Sequence, residues 1–412
     1  MEELNRLKLG GVVIHMKNNN ITYLIGSDIV KVKPLEPYAE IVCEFLNDVS
    51  KQLRSDKRAA EYSDVLSLAF WCRKANIIRL REEFTSKRIR IGRGLVFHIT
   101  PSNVPVNFAF SFFFGLLSGN ANIVRVPSKE FPQIPIICDA INEVINFDKY
   151  RAIRDMTTFI SYQRDDEITA YYSSICDARI IWGGDDTIQN IRKFPMKVRA
   201  VEIAFAGRYS FCIINSKTIL EMNEDELKNL AVKFYNDTYL MDQNACSTPH
   251  LILWYGENDS EKEMAKKIFW DSIHMVSQKF DLTPIKSIDK YTQLCHILMD
   301  RDNIIKTKQY DNSLYTVDIN SLPEDISILR GIFGLFYQYD LKNLDELIPC
   351  INLKVQTLIY VGMNKEELVY FVVKNHLQGI DRIVPMGEGL NIGVYWDGYD
   401  IINNLSRCIE HI

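Results

Sequence analysis

Apolar runs alternate with helical patterns from residue 89 onward. The strand-like segment IRIGRGLVFHIT (89–100) precedes an apolar helix predicted at 104–117, and the same alternation continues to residue 205. Such alternation is typical of a parallel sheet covered by helices on both faces. We predict a doubly wound α/β domain with strands at 89–100, 122–127, 157–162, 178–184 and 197–205, and helices at 104–117, 132–147, 165–175 and 186–194.

A second α/β pattern follows this domain, and an N-terminal extension precedes it. In the extension, GVVIHMKNNNITYLIG (11–26) has the pattern of two short strands around a polar turn, which would form a hairpin. Helical spacing then predicts helices at about 36–53 and 60–84. In the second region we predict strands near 211–215, 250–254, 333–339 and 357–361, and helices near 224–239, 259–279 and 287–300.

Composition narrows the class of protein. The 412 residues are 47% hydrophobic and carry a formal net charge of −5, so nothing favours nucleic acid or an anionic membrane as a partner. The most apolar run, 106–117, has 12 residues, too few to span a bilayer, and the first residues lack a signal-peptide pattern. Nine dispersed cysteines without a CxxC pair argue against a zinc site and a disulfide framework, and a reducing cytoplasm is expected.

Three loops follow strands of the first predicted sheet. They are TPSNVP (100–105), PSKEFPQ (127–133) and GGDD (183–186). Ligands of such sheets bind at the carboxyl ends of the strands, and a glycine turn before a helix can hold a phosphate. The standard GxGxxG fingerprint is absent, and Asp185 and Asp186 would repel phosphate unless they cap the helix. Dinucleotide binding and a purely structural turn both remain open.

Cys246 is the candidate nucleophile, and Glu202 is the candidate base. Cys246 lies in the polar stretch DQNACSTPH between a helical run and a strand, where a thiolate is feasible, but many cysteines are simply small buried residues. Glu202 is either a general base or a strand-end carboxylate facing solvent. The seven histidines are isolated in the sequence, and we predict structural roles for them, although His250 is only four residues from Cys246.

The order of several segments resembles the aldehyde dehydrogenase superfamily. TPSNVPV is similar to its Pro-x-Asn loop, and DQNACST is similar to its Gln-x-x-Cys nucleophile segment. Further similarity lies in IVRVPSKEFPQIP, IIWGGDDTIQNI, AFAGRYSFCII and GIFGLF. Within the superfamily, residues 94–129, 244–250 and 379–407 most resemble the LuxC-like acyl-CoA reductases of bacterial bioluminescence.

This resemblance implies a fold and a domain plan. The fold would be aldehyde dehydrogenase-like, with a Rossmann-type cofactor domain and an α/β catalytic domain. The cofactor domain would comprise residues 1–206, including the N-terminal segment, and the catalytic domain residues 207–385. Residues 386–412 would return to the cofactor domain.

The resemblance also implies roles for individual residues. Cys246 would be the nucleophile, and Asn103 would donate to an oxyanion beside the backbone N–H of Cys246. The implied nicotinamide cofactor would be NADPH, with NADH as an alternative. The residues implied to contact it are Thr100, Pro101, Ser102, Arg125, Ser128, Lys129, Gly183, Gly184, Thr187 and Phe333.

Two departures from the dehydrogenase pattern affect the implied reaction. Ala204 occupies the position of the dehydrogenase general base, and Arg330 replaces a glutamate that holds the nicotinamide ribose. Loss of the base suits an acyl-CoA reductase, which must not hydrolyse its thioester. The implied activity is reduction of an acyl thioester to an aldehyde, with CoA as leaving group. An oxidative aldehyde dehydrogenase using Glu202, or a non-redox acyl-transfer subunit, are the alternatives.

Partners follow from the same resemblance. The acyl group would come from acyl-CoA or an acyl-protein, the latter supplied by an acyl-protein synthetase. A homo-oligomer is expected, and neither a metal nor a membrane-spanning segment is.

Overall fold

The structure, a computed structural model, describes residues 12–15, 20–84 and 88–410. It divides the chain into two compact units. Unit 1 contains the described residues up to Ala206 together with those from Gly393 onward, and unit 2 spans Gly207–Ile392. The chain therefore leaves unit 1 once and returns to it at residue 393, seven positions after the return expected from the sequence.

The first part of unit 1 supplies nine strands and eight helices among the described residues. The strands are β1 (Val12–His15), β2 (Thr22–Ile25), β3 (Ile29–Val32), β4 (Ile89–Gly92), β5 (Leu95–Ile99), β6 (Ala121–Arg125), β7 (Thr157–Ser161), β8 (Ala178–Trp182) and β9 (Val201–Phe205). The helices are α1 (Glu40–Ser55), α2 (Ser63–Trp71), α3 (Lys74–Glu83), α4 (Asn107–Leu117), α5 (Gln133–Ile145), α6 (Arg151–Asp155), α7 (Asp166–Ile175) and α8 (Asp185–Arg192).

The main sheet of unit 1 has the order β2-β7-β6-β5-β8-β9. β5 to β9 are parallel, and β2 adds antiparallel to β7 at the edge. Counted along the chain, the five parallel strands lie in the order 3-2-1-4-5, so the direction of winding reverses between β5 and β8. α4 packs on this sheet with every residue buried, because its sequence NFAFSFFFGLL is apolar apart from Asn107 and Ser111. The predicted doubly wound α/β fold is confirmed.

Two predictions at the N-terminal end are wrong. β1 pairs antiparallel with β3 instead of forming a hairpin with β2, whose hydrogen bonds go to the open edge of β7. The single helix predicted at 60–84 is broken into α2 and α3. Arg73 is extended between them, and the side-chain amide of Asn76 donates to the carbonyl of Trp71 at 2.8 Å. The break lets the Trp71 ring stack against Phe113.

The predicted strand 89–100 is also two strands. Gly94 separates them with a φ of +140°, a conformation that favours glycine. β5 enters the main sheet, whereas β4 pairs with a C-terminal strand described below. Sequence periodicity runs through this turn without a break, so it did not signal the change of sheet.

A buried polar chain ties together the elements around the carboxyl end of β5. Trp182 Nε1 donates to Ser111 Oγ at 3.0 Å, and Ser111 Oγ lies 2.8 Å from His98 Nδ1. His98 Nε2 lies 2.9 Å from Oδ1 of Asn122, whose amide nitrogen donates to the Asn120 carbonyl at 2.7 Å. Since an amide oxygen only accepts, the pattern places a proton of His98 on Nε2, and burial, which lowers the pKa of His98 to about 4, keeps the ring neutral near pH 7. β5, α4, β6 and β8 are thereby fixed to one another.

Unit 2 is a second α/β unit. Its strands are β10 (Tyr209–Asn215), β11 (Pro249–Tyr255), β12 (Ile304–Gln309), β13 (Tyr315–Ile319), β14 (Leu335–Leu341), β15 (Val355–Val361) and β16 (Arg382–Pro385). Its helices are α9 (Ser216–Glu221), α10 (Glu224–Thr238), α11 (Asp259–Ser277), α12 (Pro284–Asp300) and α13 (Lys365–Lys374). The sheet order is β12-β13-β14-β11-β10-β15-β16, parallel except for the edge strand β12. Apolar residues on its two faces form two separate clusters.

The C-terminal segment completes unit 1. It contains the strand pair β17 (Tyr395–Trp396) and β18 (Tyr399–Asp400), then α14 (Ile401–Leu405) and β19 (Ser406–Ile409). β19 pairs antiparallel with β4. In the portion of the chain that the structure describes, helices are too short or too polar to cross a membrane.

Candidate active site

Three loops of unit 1 meet at the carboxyl edge of its sheet, because the strands that lead into them are neighbours. β5 lies between β6 and β8, and the loops after these strands begin at Thr100, Val126 and Gly183. Thr100 joins the first two loops, since its hydroxyl donates to the Arg125 carbonyl at 2.6 Å. This edge coincides with the point where the winding reverses, the usual ligand position in such sheets.

The glycine turn at 183–184 leaves room for a phosphate. A Cβ on Gly183 would meet the Thr187 side chain at 3.1 Å, whereas a Cβ on Gly184 would meet nothing within 4 Å. Gly184 is the N-cap of α8 and places no side chain over the free N–H groups of the first turn. Backbone N–H groups at a helix start are the kind of donor that binds a pyrophosphate, whereas exposed Asp185 and Asp186 oppose an anion here.

The other candidate cofactor residues line the same edge. The Arg125 guanidinium lies 4.4 Å from the centre of the Tyr162 ring, which orients it at the end of β6. Ser128 and Lys129 follow in the next turn and are exposed. Pro101 and Ser102 lie in the loop after β5, and the following residue, Asn103, is exposed before α4 begins. Arg125 and Lys129 thus contribute positive charge to this edge.

Glu202 lies at the opposite end of the sheet. It is the second residue of β9, near the amino end, so about three residues, or roughly 10 Å, separate it from the carboxyl edge. Its carboxylate accepts from Arg179 at 2.5 Å and from Arg192 at 2.7 Å, and the Arg179 side chain is only 2% exposed. Both oxygens therefore serve ion pairs, and this geometry favours a structural role over a general base.

In unit 2, the segment that carries Cys246 is held in an unusual backbone conformation. Asp242 and Gln243 both have positive φ angles, +53° and +63°. The buried Gln243 side chain accepts from the Gly334 N–H at 2.9 Å and donates to the Leu335 carbonyl at 3.0 Å. These bonds offset the backbone strain and join the cysteine segment to the Phe-Gly segment that precedes β14.

Cys246 itself is anchored through its backbone and contacted at its sulfur. The Ser210 hydroxyl donates to the Cys246 carbonyl at 2.7 Å. The Gln356 side-chain amide donates to Sγ of Cys246 at 3.4 Å. The side chain of Cys246 is partly exposed. These contacts are not visible in the local sequence, because Gln356 follows Cys246 by 110 positions; its signal there is a Gln-Thr pair in the apolar run VQTLIYV.

Six of the other cysteines are kept as thiols by burial. Burial raises the pKa of Cys43 to about 11 and those of Cys138 and Cys176 to about 12. The pKa values of the remaining three, Cys72, Cys212 and Cys350, are raised by the same cause. A thiol that does not ionise is a poor nucleophile. These six positions are therefore poor candidates for covalent chemistry.

His250 and Phe333 occupy well-defined places in unit 2. The buried His250 ring stacks on Tyr209, and its Nδ1 lies 3.1 Å from the Gly331 carbonyl. Burial and nearby Arg330 lower the pKa of His250 to about 3, so the ring is neutral and structural. Phe333 is partly buried with a φ of +51°, and its carbonyl accepts from Lys290 at 2.8 Å.

A second unanticipated contact involves Asp237 at the end of α10. Its buried carboxylate accepts backbone N–H groups from Gly387 at 2.6 Å and Gly389 at 3.0 Å. Burial outweighs these hydrogen bonds and raises the pKa of Asp237 to about 6. The Asp237 carbonyl accepts from the Thr248 hydroxyl at 2.8 Å, just beyond Cys246. The GEGL turn and the cysteine segment are therefore tied to the same helix end.

Comparison with known proteins identifies a family for this chain. The family model described as acyl-CoA reductase (LuxC) matches residues 79–408, more than half of the chain. A search of curated proteins finds no match.

Solved structures resemble the fold at low sequence identity. A mutant 1-pyrroline-5-carboxylate dehydrogenase from Thermus thermophilus has a TM-score of 0.60 at 12% identity, with 90% of this chain and 81% of that chain covered. Lactaldehyde dehydrogenase from Escherichia coli has a TM-score of 0.60 at 13% identity, covering 89% and 85%. An NAD-dependent benzaldehyde dehydrogenase from Corynebacterium glutamicum has a TM-score of 0.59 at 10% identity, covering 96% and 95%. The aldehyde dehydrogenase-like fold is thereby confirmed.

Proposed function

We propose that this chain, which belongs to the acyl-CoA reductase (LuxC) family, reduces a fatty acyl thioester to an aldehyde through an acyl group carried on Cys246. The family and the fold make it an aldehyde-related oxidoreductase. The observation that carries the finer proposal is the setting of Cys246. Its backbone is anchored by Ser210, and its partly exposed sulfur receives an amide N–H.

The first half of the reaction is acyl transfer. The thiolate of Cys246 attacks the carbonyl carbon of acyl-CoA, and the carbon–sulfur bond to CoA breaks, so that CoA leaves as a thiolate and takes up a proton from solvent. Negative charge on the acyl oxygen would be stabilised by the backbone N–H of Cys246, and the family resemblance assigns the side-chain amide of Asn103 as a second donor. Losing one such donor typically slows a reaction about 10²–10³-fold. Covalent catalysis divides one difficult step into two easier ones.

The second half is a two-electron reduction of the enzyme thioester. A nicotinamide cofactor, held at the carboxyl edge of the unit 1 sheet, would supply the two electrons as hydride. Cys246 then leaves as a thiolate from the resulting hemithioacetal, whose carbon–sulfur bond breaks to release the aldehyde. One proton is consumed overall, which balances acyl-CoA, reduced cofactor and proton against aldehyde, CoA and oxidised cofactor.

The absence of a general base at Ala204 supports reduction over hydrolysis. A hydrolytic water needs a base, and a thioester that waits for hydride must be protected from water. Glu202 does not replace that base, because Arg179 and Arg192 hold its carboxylate. This arrangement favours the reductase over an oxidative aldehyde dehydrogenase.

NADPH is the proposed cofactor. The pyrophosphate would lie against Gly183, Gly184 and Thr187, and the adenosine half would lie toward Thr100, Pro101 and Ser102. Arg125, with Ser128 and Lys129, would offer positive charge and a hydroxyl to a 2′-phosphate. Phe333 would line the nicotinamide half. NADH is the alternative, and the ratio of kcat/KM for the two cofactors decides between them.

The acyl donor and the assembly are parts of the same proposal. An acyl-CoA or an acyl-protein supplied by an acyl-protein synthetase would deliver the acyl group to Cys246. The chain would act as a homo-oligomer in the cytoplasm. Size-exclusion chromatography with light scattering measures the oligomeric state directly.

The test uses the intact protein with a long-chain acyl-CoA. Wild type should release CoA and oxidise NADPH in equal amounts. Cys246→Ala should release no CoA and oxidise no NADPH, yet bind NADPH with unchanged Kd. Without cofactor, wild type should carry an acyl group on the Cys246 peptide, measured by mass spectrometry. Full turnover by Cys246→Ala would refute the proposal, and carboxylic acid formation from an aldehyde with NADP⁺ alone would favour the oxidative enzyme.

A further inference from the structure

The sulfur of Cys246 faces a buried amide in unit 2. Nε2 of Gln356 lies 3.4 Å from Sγ, within the range of a hydrogen bond to sulfur. Gln356 is the second residue of β15 and is fully buried. A buried glutamine costs free energy unless its polar atoms are hydrogen-bonded. The placement of this amide in an apolar strand beside the proposed nucleophile therefore needs an explanation.

The neighbours of Gln356 decide which end of its amide faces the sulfur. Thr357 Oγ1 accepts from Nη1 of Arg382 at 3.4 Å and directs its own proton to Oε1 of Gln356 at 3.2 Å. With Oε1 accepting there, the NH₂ group of Gln356 faces Cys246 and donates to its sulfur. The hydroxyl of Thr357 therefore supports the donor orientation of the amide.

The backbone on both sides of this contact is held by one hydroxyl. Ser210 Oγ donates to the Cys246 carbonyl at 2.7 Å and accepts the Thr357 N–H at 3.2 Å. Ser210 therefore holds β15 and the cysteine segment at a fixed separation. His250, four residues after Cys246 in the chain, has its ring stacked on Tyr209 and its Nδ1 directed at the Gly331 carbonyl.

We propose that Gln356 is a catalytic residue, whose amide N–H donates to Sγ of Cys246 and keeps the sulfur ionised and aimed at the acyl carbon. An amide neither gives up nor takes up a proton near neutral pH, so Gln356 is not a general base. A hydrogen bond to the charged form of an acid favours ionisation, which is the effect required here. The same bond steadies the thiolate when it leaves from the hemithioacetal. This inference rests on the proposed function of Cys246.

The experiment measures how the alkylation rate of Cys246 by iodoacetamide depends on pH. The intact protein is used, and mass spectrometry of each cysteine peptide separates Cys246 from the others. Gln356→Leu should move the midpoint of the profile upward by about one pH unit, which makes alkylation at pH 7 about tenfold slower. At high pH, where every thiol is ionised, the rates of variant and wild type should converge. A variant that merely displaced the sulfur would change this plateau instead.

Further variants and an internal reference complete the design. Gln356→Glu keeps the shape but brings a negative charge to the sulfur, so its midpoint should rise at least as far. Thr357→Val removes the hydroxyl that orients the amide and should give a smaller shift in the same direction. If thermal unfolding shows that Gln356→Leu does not fold, the pH profiles of these two variants are used to test the proposal. Cys295, a partly exposed cysteine on α12, should keep its profile in every sample.

The outcomes separate this inference from the function it rests on. If the profile of Gln356→Leu superimposes on that of wild type, Gln356 does not act on the sulfur, even when wild type forms an acyl-enzyme. If wild type forms no acyl adduct on Cys246 with acyl-CoA, the proposed function fails, and the alkylation profiles still decide whether the hydrogen bond favours the thiolate.

Discussion

His98 should make unit 1 less stable as the pH falls from 7 to 5. Burial is the main cause that lowers the pKa of this fully buried imidazole, from its ordinary 6.5 to about 4. The hydrogen-bond chain agrees, because Ser111 donates to Nδ1 only while the ring is neutral. In the unfolded chain the same imidazole takes up a proton near pH 6.5.

The sign and size of the effect follow from linkage between protonation and folding. A lowered pKa in the folded state means that the unfolded state binds more protons between pH 6.5 and 4. The stability contributed by neutral His98 is therefore complete above pH 6.5 and is lost as the pH falls toward 4. With these two pKa values, the loss between pH 7 and pH 5 is about 2 kcal/mol.

The assay compares wild type with His98→Gln at both pH values. Glutamine can accept from Ser111 and donate to Asn122 but does not titrate. Native-state hydrogen exchange of peptides covering β5, β6 and β8 gives the opening free energy of this region. His98→Gln should be less stable at pH 7, yet lose about 2 kcal/mol less than wild type on moving to pH 5. His296→Gln, at an exposed position on α12, is the matched control and should leave the difference unchanged.

Equal losses for wild type and His98→Gln would contradict the reasoning. They would mean that His98 takes up its proton at the same pH in the folded and unfolded states. The donation from Ser111 to Nδ1 would then be lost on acidification, whereas the proton on Nε2 would stay in place.

Three further predictions concern Glu202, the glycine turn at 183–184 and the segment that carries Cys246. Glu202→Gln should lower the free energy of unfolding by about 2 kcal/mol, because the buried Arg179 loses its counter-charge. The kcat of this variant should stay within about twofold of wild type. A large fall in kcat at unchanged stability would instead indicate that Glu202 acts as a base. Gly184→Ala should change the free energy of unfolding by less than about 0.5 kcal/mol but raise the Kd of NADPH. Gly334→Ala should lower the free energy of unfolding by about 2–3 kcal/mol, because its Cβ would lie 2.2 Å from a carbonyl oxygen at a φ of +92°. Equal effects of the two variants on stability would contradict this expectation. Gln243→Ala should lose about 2 kcal/mol and slow acylation of the cysteine, as measured by denaturant unfolding and by adduct formation.

Much of the secondary structure of this chain follows from local pattern. The buried strands β5 to β8 and the mostly apolar helix α4 have strongly apolar sequences, so periodicity located them to within a few residues. The order of these elements, together with the Pro-x-Asn and Gln-x-x-Cys segments, was enough to indicate the aldehyde dehydrogenase-like fold. Local pattern failed where continuous helical or strand periodicity concealed a break, as at Arg73 and Gly94.

Pairing between distant segments could not be obtained in this way. β1 pairs with β3, β2 adds to β7, and β4 pairs with β19 across more than 300 residues. Backbone hydrogen bonds are the same for any sequence, so the choice of partner depends on which edges the packed sheet leaves open.

Some features of the candidate site are visible in the sequence, and others depend on folding. The sequence determined that Cys246 lies in a polar turn between a helix and a strand, and that glycines follow β8. Only the tertiary structure decided that Gln356 reaches the sulfur, that Asp237 binds the turn at 387–389, and that the carboxylate of Glu202 belongs to two arginines. The physical reason is that the ionisation and direction of a side chain depend on neighbours brought together by folding, and neighbours of this kind lie anywhere in the sequence.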